Sequence, residues 1–345
     1  MGSKINNDES YLNENNFENP FKEIKVLKEL TNDSYVYLVQ DNTFIIFKSI
    51  NDILYLIYST KNKSIISFNL INNKKMNEIK NPHNNNYITN FRYYFDNINK
   101  RDLIISISAQ NSNLKLWNIN NFECLLNIQK IYKDGILSSS CVLNDNNKNY
   151  IIVSNFNVWE SEPIKIFDLK GIKLKEINDN SNDKTFLIDI YHDKKSFKNY
   201  IITGNWGYIK SYDYHKDKIY HKYSDNDKRS HYNLVITTRE KISILIESDG
   251  GNIRIWNFHS GLLLNKINIC DKGLRGVCLW NTNYLIVGNN EALILIDLRN
   301  NKIIQNNTCS DYMIGTIKKI KHPIYGECII SQGLRNEQIK LWITK

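Results

Sequence analysis

Residues 114–119 read LKLWNI, and six further stretches of the chain repeat the same alternation of apolar and polar residues. Most copies carry an aromatic residue at the fourth or fifth position, often followed by Asn or Asp. The copies start roughly 40 to 50 residues apart, which is the period expected of four-stranded units repeated around a ring. The other six are SIISFNL (64–70), IKIFDL (164–169), IKSYDY (209–214), IRIWNF (253–258), LILIDL (293–298) and IKLWIT (339–344).

Strand-like segments flank each copy. A nearly continuous apolar run precedes it, for example DLIISIS at 102–108, as expected of a strand buried on both faces. A further strand-like segment lies ahead of that run, such as YITNFRYYF at 87–95, and a weaker one follows the copy, such as ECLLNIQ at 123–129. Four strands per period over seven periods predict an all-β fold: a seven-bladed β-propeller of four-stranded antiparallel blades.

The last blade lacks a strand, because the chain ends just after IKLWIT. A blade left open would expose an edge and leave the ring unclosed. The surplus strand lies at the other end of the sequence, either in KEIKVLKE at 22–29 or in SYVYLVQ at 34–40. We therefore expect an N-terminal strand to close the ring. Residues 1–20 are polar and are predicted to form a disordered tail, and residues 21–345 a single propeller.

Composition restricts the class of protein more than its role. The formal charge is +9 over 345 residues, but lysine is scattered and never forms a run of five or six. This pattern favours a solvated surface over a dedicated nucleic-acid-binding face. The chain has no secretory signal and no stretch of eighteen apolar residues, so we expect a soluble protein of the cytoplasm, with the nucleus as the alternative. The six cysteines show neither disulfide-framework nor zinc-site spacing.

The repeats resemble those of the WD-repeat propeller family. The terminal W-D pair of that family corresponds here to Trp117-Asn118 and Trp256-Asn257, and it is degenerate in the other repeats. Histidines 83 and 231 stand near the position of the family's G-H histidine. In the fifth repeat the resemblance implies a buried hydrogen-bonded network of His231, Ser248, Asp249 and Trp256.

Catalytic motifs do not stand out in the sequence. The seven histidines show no H-E-x-x-H spacing, and neither a G-x-S-x-G elbow nor a phosphate-binding glycine loop is present. We therefore predict a protein that is not an enzyme and that needs neither a metal nor another cofactor. Binding through the loops of a rigid ring is the function that the resemblance implies.

Five residues are the candidate partner-binding set, because Trp, Tyr and Arg are common in interface hot spots and these lie in polar turns or at the start of a strand. The resemblance implies that these turns ring one face of the propeller. We expect a scaffold or adaptor that binds a peptide or protein partner there, as a monomeric propeller within a complex. The candidates are Trp159, Trp206, Tyr208, Arg275 and Arg335.

Two alternatives remain at this stage. The first is an anion-binding propeller that contacts RNA or a phosphoinositide membrane. The second is a substrate receptor of a cullin-RING ubiquitin ligase, because Ile296-Asp297-Leu298-Arg299 resembles the W-D-x-R motif of such receptors without its Trp.

Overall fold

The computed structural model describes residues 24–36, 42–108, 110–133, 136–156, 163–177, 185–227, 229–231, 233–271, 273–308, 313–334 and 338–344. This part of the chain is all-β and forms seven blades of four antiparallel strands, as predicted. The predicted disordered tail at 1–20 lies outside the described residues.

Six blades are built from four consecutive strands each. Blade 1 comprises β2 (Phe44–Lys48), β3 (Leu54–Ser59), β4 (Ile65–Asn69) and β5 (Lys74–Ile79). Blade 2 comprises β6 (Ile88–Asp96), β7 (Arg101–Ser108), β8 (Leu114–Asn118) and β9 (Cys124–Ile128). Blade 3 comprises β10 (Ile136–Asp145), β11 (Lys148–Phe156), β12 (Ile164–Asp168) and β13 (Lys173–Ile177). Blade 4 comprises β14 (Leu187–Asp193), β15 (Lys198–Gly204), β16 (Ile209–Asp213) and β17 (Lys218–Tyr223). Blade 5 comprises β18 (Asn233–Arg239), β19 (Ile242–Ser248), β20 (Asn252–Asn257) and β21 (Leu263–Asn268). Blade 6 comprises β22 (Gly276–Leu279), β23 (Tyr284–Gly288), β24 (Ala292–Asp297) and β25 (Lys302–Thr308).

Blade 7 joins the two ends of the chain. Its strands are β26 (Ile314–His322), β27 (Gly326–Gly333), β28 (Ile339–Thr344) and, outermost, β1 (Ile24–Glu29). Antiparallel pairing of β1 with β28 confirms closure by an N-terminal strand and selects the first of the two predicted segments. In the second segment, Ser34 forms a single bridge to Thr60 of blade 1, and residues 37–41 lie outside the described part.

The repeated segments and the apolar runs take equivalent places in every blade. Each repeated segment forms the third strand, and each apolar run forms the second strand. The second strands carry consecutive buried positions, as in LYLIYS of β3, because both of their faces pack against other blades.

The core lies between the blades. Seven apolar clusters fill the seven interfaces, one for each pair of neighbouring blades. The cluster between blades 7 and 1 contains Leu56 and Phe44 from one side and Ile330 and Leu341 from the other. Across this interface the Thr43 amide donates to the Thr316 hydroxyl at 3.3 Å, and the Thr43 hydroxyl donates to the Gln332 side-chain oxygen at 2.7 Å. The Thr43 and Thr316 hydroxyls are also hydrogen-bonded to each other at 2.8 Å.

The ring has two faces. We call upper the face that carries the turn between the second and third strands of each blade and the linker to the next blade. We call lower the face that carries the turn between the first and second strands and the turn between the third and fourth. All blades share one strand order, so equivalent turns lie on the same face throughout the ring.

Candidate functional site on the upper face

Trp206 lies on a short, well-supported turn of blade 4. The Asn205 amide donates to the Tyr208 carbonyl at 2.9 Å, and Gly207 takes a φ of 81°, which an L residue rarely adopts. Beneath the turn the buried Asn205 side chain donates to Thr203 at 3.1 Å and accepts from Thr185 at 3.0 Å. The turn is thus fixed by its own polar contacts, while the Trp206 side chain remains 54% exposed.

The linker from blade 4 to blade 5 is clamped against this turn. Trp206 forms a bridge with Ser230, and the Gly207 amide donates to the Arg229 carbonyl at 2.7 Å. The His231 amide donates to the Asn205 carbonyl at 3.2 Å. These bonds place the exposed residue Arg229 beside Trp206. Arg229 was not among the candidates from the sequence, because only this cross-turn pairing brings it to the site.

Aromatic rings flank Trp206 on one side. Phe186, just ahead of β14, lies 6.3 Å from the indole between ring centroids, and Phe156, at the end of β11, lies 5.0 Å from Phe186. Both phenyl rings lie toward blade 3, so the indole extends an aromatic row across two blades. An indole in this position offers a flat apolar surface to a ligand.

Positive charge lies beside the aromatic row, around Tyr208. The ammonium of Lys222 lies 3.9 Å from the centroid of the tyrosine ring, and that of Lys210 lies 5.0 Å from it. Lys222 is exposed, whereas Lys210 is buried. We refer to Phe186, Trp206, Tyr208, Lys222 and Arg229 as the Trp206 site.

Of the other predicted partner-binding residues, the structure describes only Arg275, which lies apart from the Trp206 site. Arg275 lies on the same face, in the linker to blade 6, and its amide donates to the Gly288 carbonyl at 2.9 Å. The linker around Arg229 and the turn at Gly250 lie between Arg275 and Trp206, since Gly250 pairs with Leu274. Trp159 and Arg335 lie outside the described residues.

In the buried network of blade 5, Glu247 takes the place that was predicted for Ser248. His231 Nδ1 lies 2.7 Å from the Glu247 carboxylate, and Trp256 Nε1 donates to the same carboxylate at 3.5 Å. The prediction placed Ser248 here, but Ser248 donates to the Arg275 carbonyl on the opposite face of the strand. Alternate residues of a strand point to opposite faces, so an offset of one position exchanges the two side chains.

Arg254 joins this network to the linker. Its guanidinium is fully buried and contacts four carboxylates: Asp225 at 2.7 Å, Asp227 at 3.0 Å, Glu247 at 3.4 Å, and Asp249. Burial by itself would lower the pKa of Arg254, but the neighbouring carboxylates have the larger effect, and the pKa is raised. The contacts to Asp225 and Asp227 hold the segment that leads to Arg229. The Trp206 site therefore rests on a buried ionic support.

Blades 2 and 7 contain simpler versions of the network. Trp117 Nε1 donates to Ser106 Oγ at 2.9 Å, and His83 Nε2 lies 2.8 Å from the same oxygen. Trp342 Nε1 donates to Ser331 Oγ at 2.8 Å. Ser106 and Ser331 occupy the strand position that Glu247 takes in blade 5, since all three pair with the second residue of the repeated segment, namely Lys115, Lys340 and Arg254.

The most enzyme-like cluster lies on the lower face, between blades 4 and 5. His259 Nε2 is 3.7 Å from the Asp193 carboxylate, and Ser196 donates to that carboxylate at 2.5 Å. The serine thus contacts the acid and not a histidine nitrogen, so the three groups do not form a Ser-His-Asp relay. Among the described residues, no group of three or more His, Cys, Asp or Glu side chains is arranged to hold a metal.

Arg299, the residue behind the ubiquitin-ligase alternative, lies on the lower face of blade 6. Its guanidinium contacts the Asp297 carboxylate at 2.7 Å and donates to the Tyr284 hydroxyl at 2.5 Å. These contacts hold the guanidinium within its own blade.

No family model matches the chain, and no curated protein matches it. The seven-bladed architecture rests on the structure itself. Among the described residues, no helix is long and apolar enough to cross a membrane.

Proposed function

We propose that the chain is a non-enzymatic interaction scaffold of the WD-repeat type, which binds an acidic peptide segment of a protein partner at the Trp206 site. The observation that carries the proposal is a half-exposed indole on a rigid turn, paired through its backbone with the linker that carries the exposed Arg229. The tryptophan–serine hydrogen bonds of blades 2 and 7 support the WD-repeat assignment.

The chemistry of the site favours one apolar anchor and one carboxylate in the ligand. Trp206 provides the apolar surface and the buried Phe186 supports it from below, while Arg229 and Lys222 provide donors for charge-assisted hydrogen bonds. Arg229 lies 3.5 Å from Asp227, but that carboxylate also contacts Arg254 at 3.0 Å. The Arg229 guanidinium also donates to the Asp271 carbonyl at 3.5 Å. Both of its contacts are long, and a guanidinium has five N–H donors, so donors remain for a ligand carboxylate.

Selection from a random-peptide library against the immobilised full chain tests the proposal. We expect enriched sequences to pair a bulky apolar residue with Asp or Glu. With a labelled peptide from that selection, Trp206→Ala should weaken binding about 30-fold, which corresponds to the hot-spot threshold of about 2 kcal/mol. Trp206→Phe, the matched control, should keep most of the affinity because it retains an aromatic surface.

Charge is tested separately with Arg229→Gln, which should weaken acidic peptides more than their amidated counterparts. Thermal melts of all variants should coincide with that of the wild type, because the exposed indole contributes little packing. Unchanged peptide affinity in Trp206→Ala would move the site elsewhere, and unfolding of that variant would make Trp206 a core residue.

A further inference from the structure

The lower face carries large apolar side chains at the tips of its turns. They are far more exposed than core residues of the same type, from 49% at Ile50 to 78% at Ile98 and Phe197. Within the described residues, six of the seven blades present such a side chain on this face. These lower-face tips are Ile50, Ile98, Ile172, Phe197, Leu262 and Ile324.

Contacts between blades hold the turns of this face in a common ring. The Ile50 amide of blade 1 donates to the Asp102 carboxylate of blade 2 at 3.0 Å. Arg239 of blade 5 donates to the Leu298 carbonyl of blade 6 at 2.8 Å. His322 Nε2 of blade 7 lies 3.2 Å from the Leu70 carbonyl of blade 1. The tips therefore project from one rigid surface.

Exposed lysines accompany the tips. Phe197 follows the exposed Lys194 and Lys195 in its turn, and the half-buried Lys198 comes directly after it. In four other blades an exposed lysine lies within three residues of the tip or is part of the same turn. They are Lys48, Lys100, Lys170 and Lys321.

Several carboxylates of the same turns are engaged internally. Asp193 accepts from the Lys195 amide at 3.0 Å and from Ser196. Asp168 accepts from the Lys170 and Ile172 amides at 2.9 and 2.8 Å. These two acids close their turns from within. In the Ile50 turn the exposed Lys48 pairs with the exposed Asp52 at 2.7 Å, and Lys195 donates to the Lys241 carbonyl of blade 5. Lys100, Lys170, Lys194 and Lys321 are the other exposed lysines beside the tips.

We propose that the lower face docks on an anionic lipid bilayer, with the apolar tips entering the interfacial region and the lysines contacting the headgroups. Side chains with apolar ends and neighbouring lysines bind such surfaces through burial of apolar area plus attraction to acidic lipids. Each lysine near such a surface strengthens binding about fivefold.

The spacing of the tips favours a bilayer over a protein partner. They lie on separate turns around the ring and do not line one groove. A fluid planar surface accepts all of them at once, whereas a folded partner would need a matching pocket for each. This proposal does not depend on the Trp206 site, which lies on the opposite face and would point away from the bilayer.

Vesicle flotation of the full chain tests the proposal. We expect binding to vesicles of phosphatidylcholine mixed with phosphatidylserine, and much weaker binding to phosphatidylcholine alone. A triple variant of three tips, Ile98→Ser with Phe197→Ser and Ile324→Ser, should lose about a hundredfold in affinity. The control alters three exposed apolar residues on outermost strands, Leu174→Ser with Ile219→Ser and Ile303→Ser, and should bind as the wild type does.

Charge and specificity have their own variants. Replacing Lys194, Lys195 and Lys198 by Gln should weaken binding to the acidic vesicles and reduce its dependence on salt. Failure of the wild type to bind acidic vesicles would overturn the proposal, as would unchanged binding by the tip variant. If a soluble RNA homopolymer competes with the vesicles and binds the tip variant as strongly as the wild type, the face binds soluble polyanions instead.

The two proposals fail separately. Trp206→Ala should leave vesicle binding unchanged, and Phe197→Ser should leave peptide binding unchanged. Loss of both activities in either variant would indicate misfolding, which the thermal melt of the same sample detects.

Discussion

Replacement of Arg254 by Met should remove the ionic support beneath the Trp206 site. The guanidinium and the carboxylates of Glu247 and Asp249 are all fully buried. Without the arginine, both carboxylates would remain in the interior without their main counter-charge. Breaking a buried pair by removing one partner typically costs 3–5 kcal/mol, so we expect the free energy of unfolding to fall by about that amount.

The neighbouring contacts limit the loss to these two buried acids. Lys266 lies 2.9 Å from Asp225 and 3.7 Å from Asp227, so both of those carboxylates keep a cation in the variant. Lys266→Met, the matched control, removes a partly exposed cation and should cost at most about 1 kcal/mol. Both variants replace a cation by methionine, so the difference between their free energies of unfolding reports the effect of burial.

Urea denaturation followed by circular dichroism measures both variants, and the double variant with Glu247→Gln completes a cycle. Since Gln removes one of the stranded charges, we expect the double variant to be more stable than Arg254→Met alone by about 1 kcal/mol or more. Peptide affinity should also fall in Arg254→Met under conditions where the ring is still folded, because Asp225 and Asp227 position the linker that carries Arg229. A cost below about 1 kcal/mol, or simple additivity in the cycle, would refute the reasoning.

Two further predictions concern ring closure and pH. Deletion of residues 1–19 should leave the melting temperature unchanged, whereas deletion of residues 1–41 removes β1 and should abolish cooperative unfolding; equal melting of the two would contradict closure by β1. Burial lowers the pKa of His83 from 6.5 to about 3, so the unfolded chain binds a proton in this range that the folded chain does not. Stability is therefore full above pH 6.5 and declines as the pH falls toward 3, by about 2 kcal/mol at pH 5. His83→Gln should flatten this part of the stability–pH curve, and equal slopes in the two proteins would contradict the assignment.

The blades were predictable because their signal is local. Strict alternation in the third strands and continuous apolar runs in the second strands each lie within a few residues, and the period repeats them seven times. The closing strand was predictable only as one of two segments. Both 22–29 and 34–40 alternate, and the choice depends on the pairing of Ile24 with Thr344 at the other end of the chain.

The network of blade 5 shows where sequence reasoning reached its limit. Ser248 and Glu247 are adjacent, and only the register of β19 against β20, in which Glu247 pairs with Arg254, decides which side chain meets Trp256. Alignment of blade 5 with blade 2 would have identified Glu247, since Ser106 pairs with Lys115 in the same way. Arg229 carried no comparable signal, because its position depends on a linker whose course the repeat pattern does not describe.

Closure of the ring turns scattered surface residues into two separate surfaces. An isoleucine in a polar turn, such as Ile98 or Ile324, has no special meaning in the sequence, and it gains one only when the blades place it on a face with five other apolar tips. Within the described residues, an apolar cluster fills every interface between neighbouring blades, so both proposed surfaces belong to one packed ring. Because the proposed peptide site and the proposed bilayer surface lie on opposite faces, we expect protein bound to acidic vesicles still to bind the peptide, which flotation with a labelled peptide would measure.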